Sequence, residues 1–134
     1  MASISAIRAI GHRQATKLRK SRVRTTEALL QQASSRRGRA ELSERTSIPS
    51  SDLLRWAHQA DLMRINGIGS EYADLLAAAG VDTVKSLRRR NAANLMAMVT
   101  QVNAKRRAVQ RLPTVEMVQG WIDEANELEP TVAS

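Results

Sequence analysis

The chain has 134 residues, no cysteine, no phenylalanine, one tyrosine and a net charge of +8. That composition excludes disulfides, thiolate catalysis and cysteine-based zinc sites, and it leaves little of the aromatic alternation from which a sheet is built. No apolar run approaches the roughly 20 residues of a membrane span, and the N-terminus lacks the apolar core of a secretory leader, so a cytoplasmic protein is expected. Residues 1–60 hold twelve Arg/Lys against four Asp/Glu, whereas residues 61–134 hold nine of each. The excess charge lies wholly in the first half, which points to a polyanion, an acidic partner or an acidic membrane patch as the target.

Taken in order, Ile4, Ile7 and Ile10 line one side of a short opening helix and turn closed by Gly11. His12 to about Lys20 reads as a helix with Ala15 and Leu18 inward. Thr25 is placed to cap a helix through about Ala33, and Ser35 to cap another toward Arg45, with Ala40 and Leu42 inward and Gly38 a residue that disfavours a helix interior. Ile48–Pro49–Ser50–Ser51 turns into a helix whose Leu53, Trp56, Ala57, Ala60 and Met63 share a face. In the second half a helix from about Ser70 to Ala79 turns Tyr72, Ala73, Leu76 and Ala79 inward and ends at Gly80. Asp82 or Thr83 starts a short helix containing Val84 and Leu87. Asn91 caps a longer stretch with Leu95, Met98, Val99 and Val102 on one side, and Asn103 marks a break before Lys105–Val109. Leu112–Pro113–Thr114 opens the last helix, with Val115, Val118, Trp121, Ile122, Ala125 and Leu128 as its apolar stripe. Residues 130–134 read as a flexible tail.

Between the halves stands Ile65–Asn66–Gly67–Ile68–Gly69, a tight turn with two glycines around one apolar anchor. Glycine is wanted where backbone takes positive φ or approaches another group closely. Amides pointing off such a turn into a helix N-terminus make an anion site that needs no charged side chain. The pattern also recurs. A shift of 58 residues places Ile7, Ile10, Gly11, Ala15, Leu18, Val23, Thr25 and Leu29 on Ile65, Ile68, Gly69, Ala73, Leu76, Val81, Thr83 and Leu87. A shift of 65 places Trp56, Ala60 and Met63 on Trp121, Ala125 and Leu128, so the second unit carries a seven-residue insertion. Ordered matches of this kind read as an internal duplication.

Gly67, Ile68, Gly69 and Ala73, followed by Gly80–Val81–Asp82–Thr83, resemble the helix-hairpin-helix motif. Together with Met63–Arg64–Ile65–Asn66, Arg89–Arg90–Asn91, Arg111–Leu112–Pro113 and Trp121–Ile122, they resemble an uncharacterised bacterial family, a domain of unknown function with helix-hairpin-helix-like repeats, over nearly all of residues 4–128. The resemblance implies an all-α fold, with duplicated helix-hairpin-helix-like units (1–63 and 64–129) forming one compact helical domain. It also implies contact with duplex phosphates on the minor-groove side through hairpin amides, a role that falls on Ile65–Gly69 and on Ile7–Gly11. The first turn departs from the motif, since Ala9 stands where its first glycine is expected.

Arg13, Lys17, Arg19, Lys20, Arg22 and Arg24 put six cations into twelve residues, with no acid before Glu27. Arg36, Arg37 and Arg39 extend this track, and Arg64 is the cation nearest the second hairpin, where Gly67, Ile68 and Gly69 are the phosphate-contact candidates. Glu71 and Asp74 oppose that assignment, because acids near a helix N-terminus satisfy its dipole and repel phosphate. Arg88–Arg90 and Lys105–Arg107 with Arg111 read as solvated faces. Ile10, Leu18, Trp56, Ile68, Leu76, Trp121 and Ile122 are core candidates, the tryptophans packing rather than stacking on bases. Two histidines, His12 and His58, without cysteine offer no metal site. No phosphate-binding loop ending in Lys-Ser or Lys-Thr, nucleophile elbow or acid–base pair is present, so neither catalysis nor a cofactor is expected. The leading reading is a duplex nucleic-acid-binding accessory protein, with DNA as the first choice of partner. The alternative is a protein-interaction or scaffold module, and no membrane partner is expected.

Overall fold

The computed structural model describes residues 2–133, and among them the protein is all-α. A single 3-10 turn, Ile4–Ala6, precedes α1 (His12–Lys20), α2 (Thr26–Ala33), α3 (Arg36–Thr46), α4 (Ser50–Leu62), α5 (Ser70–Ala78), α6 (Val84–Leu87), α7 (Ala92–Arg106) and α8 (Val115–Glu127). The chain divides into two compact units, Met1–Asp61 with Thr131–Ser134, and Leu62–Pro130.

Most helix starts are set by a local side-chain cap. Thr25 accepts from the Ala28 amide, Ser35 from Gly38, Thr83 from Ser86 and Asn91 from Asn94, each at 3.0 Å, and Thr114 accepts from Met117 at 3.1 Å. Two of the others start without one. α1 and α5 begin at Gly11 and Gly69, which have no side-chain cap to offer.

In the first unit, Ile4 N–H donates to Arg24 C=O at 2.9 Å and Thr26 N–H to Ala2 C=O at 3.0 Å, pinning the opening segment to the α1–α2 connection. Ile4, Ile7, Leu18, Val23, Leu29, Leu42, Ile48, Leu53 and Trp56 are buried here. α3 approaches α2 so closely that a methyl on Gly38 would meet the Gln32 carbonyl oxygen at 2.1 Å. Gly38 therefore enables this packing. The resulting rotation of α3 turns Arg39, Leu42 and Thr46 inward, and leaves Ala40, expected inside, exposed. The terminal residues read as a flexible tail include Ala133, whose N–H donates to Ser34 C=O at 2.7 Å.

In the second unit, Leu62, Ile65, Ile68, Leu75, Leu76, Val81, Val84, Leu87, Leu95, Val99, Val118, Trp121 and Ile122 belong to one core. Tyr72 meets Trp121 with ring centroids 5.3 Å apart and donates its hydroxyl to Arg111 C=O at 3.1 Å. Three expectations are corrected. α7 runs through Asn103 unbroken, and the Asn103 side chain brackets Val109 beyond the helix end, donating to its C=O at 3.1 Å and accepting from its N–H at 3.0 Å. Met98 is exposed, because Met96 and Val102 flank the buried Leu95–Val99 stripe. Val115 is exposed because it opens the first turn of α8, which becomes buried only at Val118.

Candidate nucleic-acid interface

The first hairpin is closed by Ile10 N–H on Ile7 C=O at 3.1 Å, with both isoleucines buried and Arg8 and Ala9 exposed between them. Neither central residue takes a positive φ. α1 then starts at Gly11 with no side-chain cap and no acid in its first turn. Its N-terminal amides keep their positive partial charge without an internal carboxylate close in sequence.

The other end of α1 is a tight left-handed stop. Val23 N–H reaches back to Leu18 C=O at 2.9 Å, Arg22 N–H bonds Arg19 C=O at 3.0 Å, and Arg22 has φ +66°. This is the Schellman arrangement, in which the buried Val23 and Leu18 form the accompanying apolar pair. Glycine usually takes the left-handed position, and an arginine there is strained by about 1 kcal/mol or more.

Of the six early cations, Arg13, Lys20, Arg22 and Arg24 are exposed and Lys17 and Arg19 are half-buried. Arg19 donates to the Ser5 hydroxyl. None of the six pairs with a carboxylate among the described residues. The continuation of the track is divided. Arg36 and Arg37 are exposed, and Arg37 pairs with Glu41 at 3.2 Å. Arg39 is only 3% exposed and donates to Ala33 C=O at 2.9 Å, so it serves the end of α2 and does not continue the exposed track.

The second hairpin has a different turn. Ile68 N–H bonds Ile65 C=O at 3.1 Å, and Gly67 has φ +91°, which defines a type II turn. A methyl on Gly67 would lie 3.3 Å from Trp121 Nε1. Relative to the Arg8–Ala9 turn, the central peptide is turned over, which is the physical content of the Gly67/Ala9 difference. Ile68 is a buried anchor, while Gly69 is extended at φ −92° and ψ −172° with open space where a side chain would be. The Asn66 amide is already engaged, donating to Glu124 Oε1 at 3.2 Å and Oε2 at 3.4 Å. Glu71 adds a second carboxylate in the first turn of α5.

Arg64 donates to Glu129 C=O at 2.8 Å, which ties this cation to the chain just beyond α8. Arg88, read as part of a solvated face, is half-buried and caps α8 instead. Its guanidinium donates to Ala125 C=O at 3.3 and 3.1 Å and to Leu128 C=O. Cations at these carbonyls offset the negative end of the helix dipole. A run of three arginines does not distinguish the one that caps a helix about 40 residues later. Arg90 reaches Gly80 C=O at 3.3 Å, and Arg89 is exposed. Ile10, Leu18, Trp56, Ile68, Leu76, Trp121 and Ile122 are all buried. No group of three or more His, Cys, Asp or Glu among the described residues is placed to hold a metal ion, and no helix among them is long and apolar enough to cross a membrane.

Fold and surface together define an all-helical protein whose first unit carries a cluster of arginines and lysines lacking carboxylate partners among the described residues. The chain belongs to the family described as Domain of unknown function (DUF4332), which matches residues 8–128. No curated protein and no solved structure matches it.

Proposed function

We propose that the chain is a tandem of two helix-hairpin-helix-like units, 1–63 and 64–129, that binds duplex nucleic acid, DNA first, without strong sequence preference. The hydrogen bonds support a duplication at the 58-residue spacing. Ile10 to Ile7 recurs as Ile68 to Ile65, Ala15 to Gly11 as Ala73 to Gly69, and Val23 to Leu18 as Val81 to Leu76. The left-handed Arg22 recurs as Gly80, and the Thr25 cap as Thr83.

The observation that carries the binding proposal is the group Arg13, Lys17, Arg19, Lys20, Arg22 and Arg24, gathered on α1 and its Schellman turn without a carboxylate partner among the described residues. Arg22 adds weight, since it holds a cation in a conformation that glycine adopts more easily. Phosphate contacts made by such residues position a duplex and carry no sequence information. Anisotropy titrations with two unrelated duplexes should give similar affinities and a steep fall with salt. Absence of binding at low salt removes this reading.

A protein-interaction module is the second reading, favoured by one observation. Glu124 occupies the Asn66 amide of the better-formed hairpin, where a phosphate oxygen is otherwise expected. Recovery of a single stoichiometric protein partner, with no duplex binding, supports that alternative.

A further inference from the structure

The second half of the chain is neutral in total but not in arrangement. Residues 83–115 hold eight Arg/Lys and no Asp or Glu, so the acids of residues 61–134 lie on either side of this stretch. Four of the eight, Lys105, Arg106, Arg107 and Arg111, fall at the end of α7 and in its connection to α8. The second unit is longer than the first at this place. α7, which precedes the Trp121 helix, has 15 residues, where α3, which precedes the Trp56 helix, has 11. Residues 107–114 then join α7 to α8, against 47–49 between α3 and α4.

All four side chains are exposed, and none makes an ion pair or a hydrogen bond among the described residues. Cations in a last helical turn offset its carbonyl dipoles, which accounts for Lys105 and Arg106. That effect fades within a turn and does not reach Arg111. Nor does it explain Arg107, whose φ of +50° is a conformation that glycine adopts more easily. The same device closes α1, where Lys17, Arg19 and Lys20 lead into Arg22 at φ +66°. The 58-residue spacing sets Gly80 opposite Arg22, so the two basic helix ends occupy unrelated positions.

The backbone beneath these cations is held. The Asn103 side chain brackets Val109 at 3.1 and 3.0 Å, Val109 is buried, and the Tyr72 hydroxyl donates to Arg111 C=O at 3.1 Å. Groups carried on a fixed backbone lose less freedom when they bind. No large apolar side chain is exposed within residues 104–111, so the apolar centre of a protein interface is missing there. Phosphate contacts need only charge and donors, and the guanidinium fork suits them.

We propose that Lys105, Arg106, Arg107 and Arg111 form a second duplex-binding surface, contacting phosphates through the end of α7 and not through a hairpin. This inference rests on the nucleic-acid reading of the chain, but it is separate from the α1 cations and from the Gly67–Gly69 turn.

The test compares two double variants of the full chain that remove equal charge from the second unit. Arg106→Gln with Arg111→Gln takes two of the four cations. Lys85→Gln with Arg89→Gln takes two exposed cations that precede α7, a helix whose 15 residues span about 22 Å. Circular dichroism of both should match the parent, since every altered side chain is exposed. In anisotropy titrations at low salt, the first variant should bind a duplex about tenfold more weakly, the effect of losing charge-assisted hydrogen bonds. Its log-affinity against log-salt slope should fall in magnitude by about 0.9 for each phosphate released. The second should stay within about twofold, because screening limits a distant charge. Equal weakening by the two double variants assigns the effect to net charge and overturns the surface. Parent affinity and slope in Arg106→Gln with Arg111→Gln overturn it as well, and leave the α1 proposal standing if its Lys17, Arg19 and Lys20 variant is weakened. Weakening in the α7 variant, with that α1 variant like the parent, keeps this surface and removes the α1 one. A parent that binds no duplex removes both. An Asp/Glu-rich peptide whose binding is lost in the α7 variant while duplex affinity is unchanged reassigns the surface to an acidic protein.

Discussion

The backbone N–H of Asn66 points at the Glu124 carboxylate, 3.2 Å from Oε1 and 3.4 Å from Oε2, although 58 residues separate them. This hairpin amide has met an anion supplied by its own unit. Replacing that charge tests what the hairpin does. Glu124→Gln keeps an acceptor for the Asn66 amide and removes the repulsion toward phosphate. If the Gly67–Gly69 turn touches a duplex, affinity at low salt should rise by about threefold, as expected for one screened charge worth roughly 0.6 kcal/mol. Unchanged affinity in a folded variant rejects this turn as a phosphate contact.

The α1 cations should dominate binding. Replacing Lys17, Arg19 and Lys20 together with glutamine should weaken unrelated duplexes equally and leave the circular-dichroism spectrum nearly unchanged. For every phosphate that is no longer neutralised, the log-affinity against log-salt slope should fall in magnitude by about 0.9. A triple variant with the parent's slope moves the interface elsewhere.

Arg22 carries opposing demands. Its φ of +66° disfavours any side chain, and Gly80 fills the corresponding place in the second unit with φ +91°. Arg22→Gly should stabilise the fold by about 0.5 kcal/mol, the relief of left-handed strain being partly offset by the freer unfolded chain. The same change should weaken duplex binding. Urea denaturation beside anisotropy measures both, and a loss of stability contradicts the strain argument.

Two glycine substitutions should separate packing from open surface. Gly38→Ala drives a methyl to 2.1 Å from the Gln32 carbonyl and should cost about 2–3 kcal/mol, since backbone must yield. Gly69→Ala meets nothing within 4 Å and should cost about 0.5–1 kcal/mol, the difference between glycine and alanine at an N-cap. Thermal unfolding of the two variants reads the contrast directly. Because Gly69→Ala should remain folded, its duplex affinity is a clean probe of close approach to that turn.

What could be read in the residues alone was whatever acts over a few positions. Thr25, Ser35, Asn91 and Thr114 start helices because each hydroxyl or amide oxygen reaches an N–H three residues on. The charge asymmetry, the glycine turn and the buried tryptophans were legible for the same reason: they depend on composition, spacing and local periodicity. Tertiary structure decided which cations are available. Arg39 turns inward to Ala33 because Gly38 lets α3 close on Gln32, and Ala40 faces outward in consequence. Arg88 serves carbonyls 37 and 40 residues away, and Glu124 reaches a turn 58 residues before it. Helix rotation and distant acceptors settle such roles, because a buried carbonyl or amide takes whichever donor or acceptor packing brings to it.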